Sequence, residues 1–441
     1  MPIAIIGISG RFPQAHNINE FWENLKAGKD SIVEIPKKRW SLDGFYVNDI
    51  KQAIEQRRSY CKWGGFIDGF EEFDPLFFKI SPREAMNMDP QERLMLQECW
   101  ATLEDSGYTK ERISKKYKGN VGVFIGITRT GFELYSPDLW RQGQNVHLST
   151  SFSSVANRIS YVLDLHGPSL PIDTMCSSSL SALHEACEHL RRGECDMSLV
   201  GGVNIYTHPS IYVLFCEKRM LSIDGRCKSF GKGANGFVPG EGVVSMLLKP
   251  LDKAIADGDH IYAVIQGTAV NHGGKTNGYT VPNPNAQRDV VRKALDRSGI
   301  SARTISYVEA HGTGTELGDP IEINGLTQAY SNDTKERQYC AIGSAKSNIG
   351  HLEGAAGIVG VVKCVLQMQH KLLVPSLHAQ ELNPKIDFKN SPFYVQRELS
   401  NWNRPIIEGK EYPRIAGVSA FGAGGANAHA IIREYIREGK N

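Results

Sequence analysis

The segment Asp173-Thr174-Met175-Cys176-Ser177-Ser178-Ser179-Leu180 sits where a strand-like apolar run, Leu170 to Met175, gives way to a helical pattern from Ser177 to Arg191. A strand that turns directly into a helix confines the chain to layered α/β architectures. The junction also sets one side chain at a helix N-terminus, where unsatisfied N–H groups and about half a positive charge favour thiolate over thiol. Cys176 is therefore the candidate nucleophile, and the small serines after it are expected to let a substrate carbonyl approach the backbone. His311 and His351 lie in separate glycine-flanked segments and can bring proton donors or acceptors to the same place.

The alternation continues along the chain. Ile3 to Ile6, Val121 to Gly126 and Ser198 to Ile205 are short apolar runs that read as buried strands. Asp89-Pro90-Gln91-Glu92 carries an N-cap, a proline at the first helical position and an acid at the third, a pattern that predicts a capping box. Leu94, Met95, Cys99, Trp100 and Leu103 follow at helical spacing, to an end near Gly107. Later, Ile261 to Gly267 reads as a strand and Ala286 to Arg297 as an amphipathic helix stopped by Gly299. Ile305 to Ala310 is a strand that runs into the loop from His311 to Glu322, whose Asp319, Pro320 and Glu322 form a second helix start that fixes its far end. Lys346-Ser347-Asn348-Ile349-Gly350-His351 precedes Glu353-Gly354-Ala355-Ala356-Gly357, small residues that open a closely packed helix. Strand-like Ile415 to Ala420 leads into Phe421-Gly422-Ala423-Gly424-Gly425-Ala426-Asn427-Ala428-His429, a turn able to present backbone N–H groups to an oxyanion. No low-complexity linker interrupts the chain, so two α/β halves, 1–258 and 259–441, are expected to pack together.

Other chemistries find little support. A net charge of +2 demands neither nucleic acid nor membrane, and the apolar stretch Ala355 to Leu366 is shorter than the roughly 20 residues that span a bilayer. With no signal peptide before Ile3, the expectation is a soluble, cytoplasmic protein. Nine cysteines at irregular spacings describe no disulfide framework, and neither Cys-x-x-Cys nor His-Glu-x-x-His is present to hold a metal. Cys187, Cys195, Cys216, Cys340 and Cys364 lie in or beside apolar runs and are expected to be packing residues. Gly7-Ile8-Ser9-Gly10 resembles the start of a dinucleotide loop but lacks the third glycine. Pro36 to Gly65, with Lys37, Lys38, Arg39, Arg57 and Arg58, reads as a solvated excursion or as a landing surface for an acidic carrier protein.

Cys176 in its serine setting, the His311 loop, the Lys346 to His351 segment and the Phe421 to His429 loop, in this order, closely resemble the β-ketoacyl synthase family of thiolase-like condensing enzymes. The resemblance runs from Ile3 to Ala430. The chain looks most like a ketosynthase domain of a modular polyketide synthase of the antibiotic-producing kind. Its segments from Gly274 to Asn285 and from Phe421 to Gly425 resemble the branch served by trans-acting acyltransferases. The resemblance implies an α/β, thiolase-like five-layer α-β-α-β-α fold of two similar halves, as a homodimer. It implies chain elongation by decarboxylative Claisen condensation. Cys176 would take an acyl chain from the phosphopantetheine arm of an acyl carrier protein. His311 and His351 would support decarboxylation of a malonyl-type extender and stabilise the enolate, and Lys346 would hold the histidine loop. Thr313 and Thr315 would hydrogen-bond the pantetheine amides, and the N–H groups of Cys176 and Ala423 would form the oxyanion hole. No cofactor would be bound by the domain itself, and the partners would be the carrier protein, a second copy and other synthase domains.

The sequence departs from the family pattern in places. Ala423 stands where many fatty-acid relatives carry phenylalanine, which implies tolerance of larger chains. Gly231 and Asn235 replace aspartates. Met175, where alanine is frequent, is expected to narrow the substrate pocket beside the acyl α-carbon. The alternative activity is a non-elongating ketosynthase acting only as an acyl transferase, but such relatives usually lose the His311 position, which is kept here. A thiolase would need a second cysteine in the terminal glycine loop, and a chain-length subunit would lack Cys176.

Overall fold

The computed structural model describes residues 1–437. Its centre is an 11-stranded sheet. The first half supplies β1 (Ile3–Arg11), β2 (Val121–Gly126), β3 (Ser169–Ile172), β4 (Met197–Asn204) and β5 (Gly242–Pro250). The second supplies β6 (Ala263–His272), β7 (Tyr307–Glu309), β8 (Cys340–Gly343), β9 (Phe393–Val395), β10 (Ile415–Phe421) and β11 (Ala426–Arg433). In space the first half runs β1-β5-β4-β2-β3 and the second β6-β11-β10-β7-β8, with β9 added at the edge. Both halves thus place their strands in the order first, fifth, fourth, second, third. In each, the first two pairings are antiparallel and the next two parallel. The two halves join where Ile3–Ile5 of β1 pair antiparallel with Ala263–Ile265 of β6.

Helices complete the expected α-β-α-β-α layering. On the outer side of the first half-sheet lie α1 (Pro90–Asp105) and α2 (Phe152–Leu163), and on the outer side of the second lie α4 (Pro284–Ser298) and α5 (Gly318–Tyr330). Between the sheets α3 (Ser178–Arg192) packs on α6 (Ala356–His370). Every residue of α6 from Gly357 to Met368 is buried, which explains the apolar stretch in the sequence: a helix enclosed on all sides has no need of a polar face. No helix is long and apolar enough to cross a membrane, and no cluster of metal-ligating side chains occurs among the described residues. Cys187, Cys195, Cys216, Cys340 and Cys364 are all buried in packing positions.

Several expectations shift in detail. β1 does not end before Gly7 but runs through Gly10, so this segment is strand and not a phosphate loop. A Cβ at Gly7 would lie 2.7 Å from the Thr102 carbonyl oxygen, so the glycine is there to admit α1. Asp89 caps α1, its carboxylate accepting from Gln91 N at 2.8 Å, but Glu92 does not close a capping box. It turns instead to α2, accepting from Arg158 Nε at 2.7 Å and Ser154 Oγ at 3.1 Å. α4 is capped by Asn283 and ends at Gly299 with φ of 67°. β3 stops at Ile172, leaving Asp173 to Ser177 as a turn.

The seating of α3 on β2 leaves no room for a side chain at Gly126, where a Cβ would stand 2.4 Å from Ser179 N. Gly126→Ala is expected to lower stability by about 1–3 kcal/mol, the range for overpacking a tight core. Urea unfolding would measure it, and an unchanged midpoint would contradict the close approach.

Candidate functional site

The turn after β3 is held by side-chain to main-chain hydrogen bonds. Asp173 accepts from Met175 N at 3.0 Å, and Thr174 N donates to Ser178 Oγ at 2.9 Å. Met175 adopts a left-handed backbone, φ 58°, which a residue with a long side chain takes only when its surroundings hold it there. Cys176, the next residue of the turn, lines the cavity. The serines do not simply leave space, as the sequence suggested; they are buried ties. Ser177 Oγ donates to Thr174 O at 2.8 Å and reaches Ala426 O at 3.0 Å, fastening the turn to the terminal glycine loop. Ser179 Oγ accepts from Ile358 N at 3.1 Å, joining the start of α3 to that of α6. The Met175 side chain does not reach the cavity wall; its Sδ accepts from Thr128 Oγ1 at 3.4 Å.

His311 follows β7, and its place is set by a residue the sequence reading treated as part of a helix start. The Glu322 carboxylate of α5 accepts from His311 N at 2.7 Å and from Gly312 N at 2.8 Å. Asp319 holds neighbouring parts, accepting from Phe230 N at 2.8 Å and Gly314 N at 3.2 Å. Neither acid caps its own helix. Burial raises both, Asp319 to about 6 and Glu322 to about 7. Among the described residues, then, Glu322 anchors the His311 backbone, and Lys346 is not the tie. Lys346 opens the short helix Lys346–Ile349 and faces a water-sized cavity beside Glu309.

The two imidazoles are fixed in the same sense. His311 Nδ1 accepts from Phe421 N at 3.4 Å, and His351 Nδ1 accepts from Glu353 N at 3.1 Å. A neutral imidazole that accepts at one nitrogen carries its proton on the other, so both present Nε2–H. His351 Nε2 is buried and has no hydrogen-bond partner among the described residues. The rings meet edge to face, centroids 5.4 Å apart. Burial, reinforced by the Lys346 charge, holds both imidazoles well below their usual range, so they are neutral at physiological pH.

Cys176 differs from the thiolate expected at a helix N-terminus. It precedes the N-cap Ser177 and lies outside α3. Burial of its sulfur pushes the thiol up to about 11, and the Glu353 carboxylate adds to the rise. Lys346, the N–H of Ala423 and Arg129 oppose it without prevailing. Glu353 is itself paired, accepting from Arg129 Nε at 2.7 Å and Tyr206 Oη at 2.6 Å. Arg129, Tyr206 and Glu322 were not recognised as site residues from sequence. The one available signal was the invasion of an acid, Glu353, between His351 and a run of small residues.

These groups meet in a cavity of about 560 Å³ lined by Cys176, His311, His351, Thr313, Thr315 and Ala423. Its mouth is bordered by the partly exposed segment 272–283. His272 Nε2 lies 2.9 Å from Gly424 O, and Gly273 N donates to Gly425 O at 2.8 Å, so this segment rests directly on the terminal glycine loop. Away from the mouth, the basic excursion is partly neutralised. Arg39 turns inward to the buried Glu241, Lys38 pairs with Asp68 and Lys62 with Glu34.

Residues 1–254 match the family described as beta-ketoacyl synthase, N-terminal domain, and residues 262–380 that described as beta-ketoacyl synthase, C-terminal domain. The chain is 56% identical over 444 residues to polyketide synthase PksL of Bacillus subtilis strain 168, covering 99% of this chain and 10% of that protein. With polyketide synthase ThaG of Burkholderia thailandensis it shares 54% identity, over 98% of this chain and 8% of that one. It therefore spans about a tenth of the length of these curated relatives. Among solved structures it is similar to the oxazolomycin ketosynthase domain OzmH KS7 of Streptomyces albus JA3453, with 45% identity and a TM-score of 0.96 over 100% of this chain and 75% of that one. The ketosynthase from module 6 of the bacillaene synthase of Bacillus subtilis 168 gives 45% identity and a TM-score of 0.90, over 99% and 73% of the two chains.

Among the described cysteines only Cys176 escapes full burial, so it is the thiol expected to be alkylated in the native protein. With a thiol at about 11, its thiolate fraction, and hence the rate, should climb about tenfold per pH unit from pH 7 to 9. Removing a negative charge beside a thiolate lowers the thiol's pKa, so Glu353→Gln should speed alkylation severalfold at pH 8. Peptide mapping after timed iodoacetamide treatment checks both; a rate that levels off below pH 8 would contradict the raised thiol.

Proposed function

Since the chain belongs to the β-ketoacyl synthase family, as a ketosynthase domain, we propose that it elongates a polyketide by decarboxylative Claisen condensation. The observation that carries this reading is the pair of neutral imidazoles aiming Nε2–H towards the cavity that holds Cys176. In the first step Cys176 Sγ attacks the thioester carbonyl of an acyl chain on a phosphopantetheine arm. The carbonyl oxygen, now negative, takes hydrogen bonds from the N–H groups of Cys176 and Ala423. The pantetheine sulfur leaves with the proton that the thiol gives up, so the exchange is proton-neutral. A thiol kept protonated at rest suits this step, because no thiolate has to wait beside the Glu353 carboxylate.

In the second step a malonyl-type thioester enters on a carrier protein. As its C–C bond to the carboxylate breaks, carbon dioxide departs and the electron pair delocalises onto the thioester oxygen. His311 and His351 donate to that oxygen, and their low basicity keeps them neutral donors that need no prior charge. The enolate carbon then attacks the Cys176 acyl carbon, and the same oxyanion hole serves again. Collapse expels Cys176 as a thiolate, which takes one proton from water to return to the resting thiol, and leaves the β-ketoacyl chain on the carrier. Thr313 and Thr315, whose hydroxyls lie 3.1 Å apart in the cavity wall, would hydrogen-bond the pantetheine amides. Lys346 acts here as a nearby positive charge that keeps both imidazoles deprotonated.

The proposal extends to the assembly. The two loops that resemble the branch fed by separate acyltransferases meet at the cavity mouth, which supports delivery of the extender from outside the chain. β3 ends the sheet with one unpaired backbone edge and an exposed Leu170, which supports pairing with a second copy as a homodimer. Acyl carrier protein and other synthase domains are the further partners. The division at 258/259 falls between β5 and β6, with 438–441 outside the described residues.

Loading and condensation separate the two activities. His311→Ala should still form the acyl-enzyme but lose β-ketoacyl product by on the order of a hundredfold or more, the cost of one oxyanion donor. Intact mass spectrometry of the enzyme reads loading, and that of malonyl-charged carrier reads condensation. A wild-type protein that loads but never condenses would make the chain a non-elongating acyl transferase.

A further inference from the structure

Glu353 occupies an unusual position for an acid. Its side chain is 3% exposed, and its backbone lies at φ 41°, in the left-handed region that L side chains rarely adopt. Both carboxylate oxygens are used, Oε2 by Arg129 Nε at 2.7 Å and Oε1 by Tyr206 Oη at 2.6 Å. Those partners come from distant segments, 224 and 147 residues away in sequence. Arg129 is braced in turn over the Phe215 ring, 5.0 Å from its centroid. The clamp acts on what the Glu353 backbone does next, which is to donate from its N–H to His351 Nδ1 at 3.1 Å.

That bond chooses the His351 tautomer. The His351 main chain is tied by its N–H to Val238 O at 2.7 Å and by its carbonyl to Gly240 N at 2.9 Å, but neither contact tells one ring nitrogen from the other. The flanking rings of Phe237 and His311 restrict the imidazole plane without offering it a proton. Among the described residues only the Glu353 N–H distinguishes Nδ1 from Nε2, and it leaves the partnerless Nε2 as the protonated nitrogen. We propose that Glu353 is a positioning residue for condensation: Arg129 and Tyr206, by gripping its carboxylate, hold its main-chain N–H where it fixes His351 as an Nε2–H donor. The proposal rests on the reading in which His351 donates to the enolate.

Acylation of Cys176 does not use this donor, so the clamp should matter to one half-reaction and not the other. Glu353→Ala frees the strained backbone and should slow condensation on the order of tenfold or more, within the hundredfold or more lost with a whole donor, while acylation does not fall and can only rise as the negative charge beside Cys176 is lost. Glu353→Gln keeps the shape, with its carbonyl towards Arg129 and its amide towards Tyr206, and should condense within about threefold of wild type. Charge and shape thereby separate, because the same Gln variant speeds Cys176 alkylation. If Glu353→Ala does not fold, Tyr206→Phe removes one grip at nearly constant volume, and ¹⁵N shifts of the His351 ring report the tautomer directly. A mixed tautomer there supports the clamp, and an unchanged one overturns it. Normal condensation by Glu353→Ala overturns the proposal, as does a parallel fall in acylation and condensation, or a Gln variant as poor as the Ala variant. His351→Ala is run alongside. If it condenses normally, the role of His351 is wrong, and the ring ¹⁵N shifts still decide whether Glu353 sets its tautomer.

Discussion

Everything at the centre of this protein depends on two helices meeting between two sheets. α3 and α6 begin side by side, tied by Ser179 Oγ and Ile358 N at 3.1 Å. Each follows the third strand of its half: β3 leads through a turn to α3, and β8 through the Lys346–His351 segment to α6. The repeated strand order therefore brings Cys176 and His351 together as corresponding features of the two halves. Neither half alone contains the site. His311 comes from the end of β7, beside β8, and the glycine loop from the connection between β10 and β11, so all four loops open on one side of the sandwich.

Burial decides the chemistry of that place more than the charges do. Desolvation is the largest influence on Cys176, His311, His351, Lys346, Asp319 and Glu322, and in each case it favours the neutral form. The outcome is a cavity of uncharged donors around an uncharged nucleophile. Such a site offers little to a resting anion but a great deal to one that forms during reaction, because hydrogen bonds act more strongly where water is excluded.

The sequence was informative wherever the relevant forces are local. Asp89 before Pro90 starts a helix, Gly299 ends one, and glycine-bounded apolar runs are strands because these outcomes involve residues within a few positions of each other. The alternation of strands and helices and the set of loops carrying Cys176, His311, His351 and Ala423 were legible from such signals, whereas the α-β-α-β-α layering came from the family resemblance that the order of those loops carries. What escaped was long-range. Nothing near Glu92 says that it will leave its own helix for Arg158, and nothing near Glu353 announces Arg129, 224 residues earlier. The left-handed Met175 is unreadable for a related reason: methionine has no preference for that backbone, and only the packed turn imposes it. The thiol was misjudged because a helix terminus is visible in sequence, whereas the desolvation that outweighs it is a property of the assembled fold.

The placement of β1 has a consequence for how such a chain is made. β1 lies in the interior of the sheet, and its partners are β5, starting at Gly242, and β6, starting at Ala263. A ribosome adding roughly 5–20 residues per second leaves this strand without either partner for on the order of 10–50 s. During that time the run Ile3 to Ile6 is an apolar strand with two unpaired edges. The first half-sheet cannot close until β5 arrives, and the two half-sheets cannot join until β6 does. Biosynthesis of this fold thus has a long open interval early on, when the nascent chain relies on other proteins, or on its own transient collapse, to keep its central strand from pairing with a neighbour's.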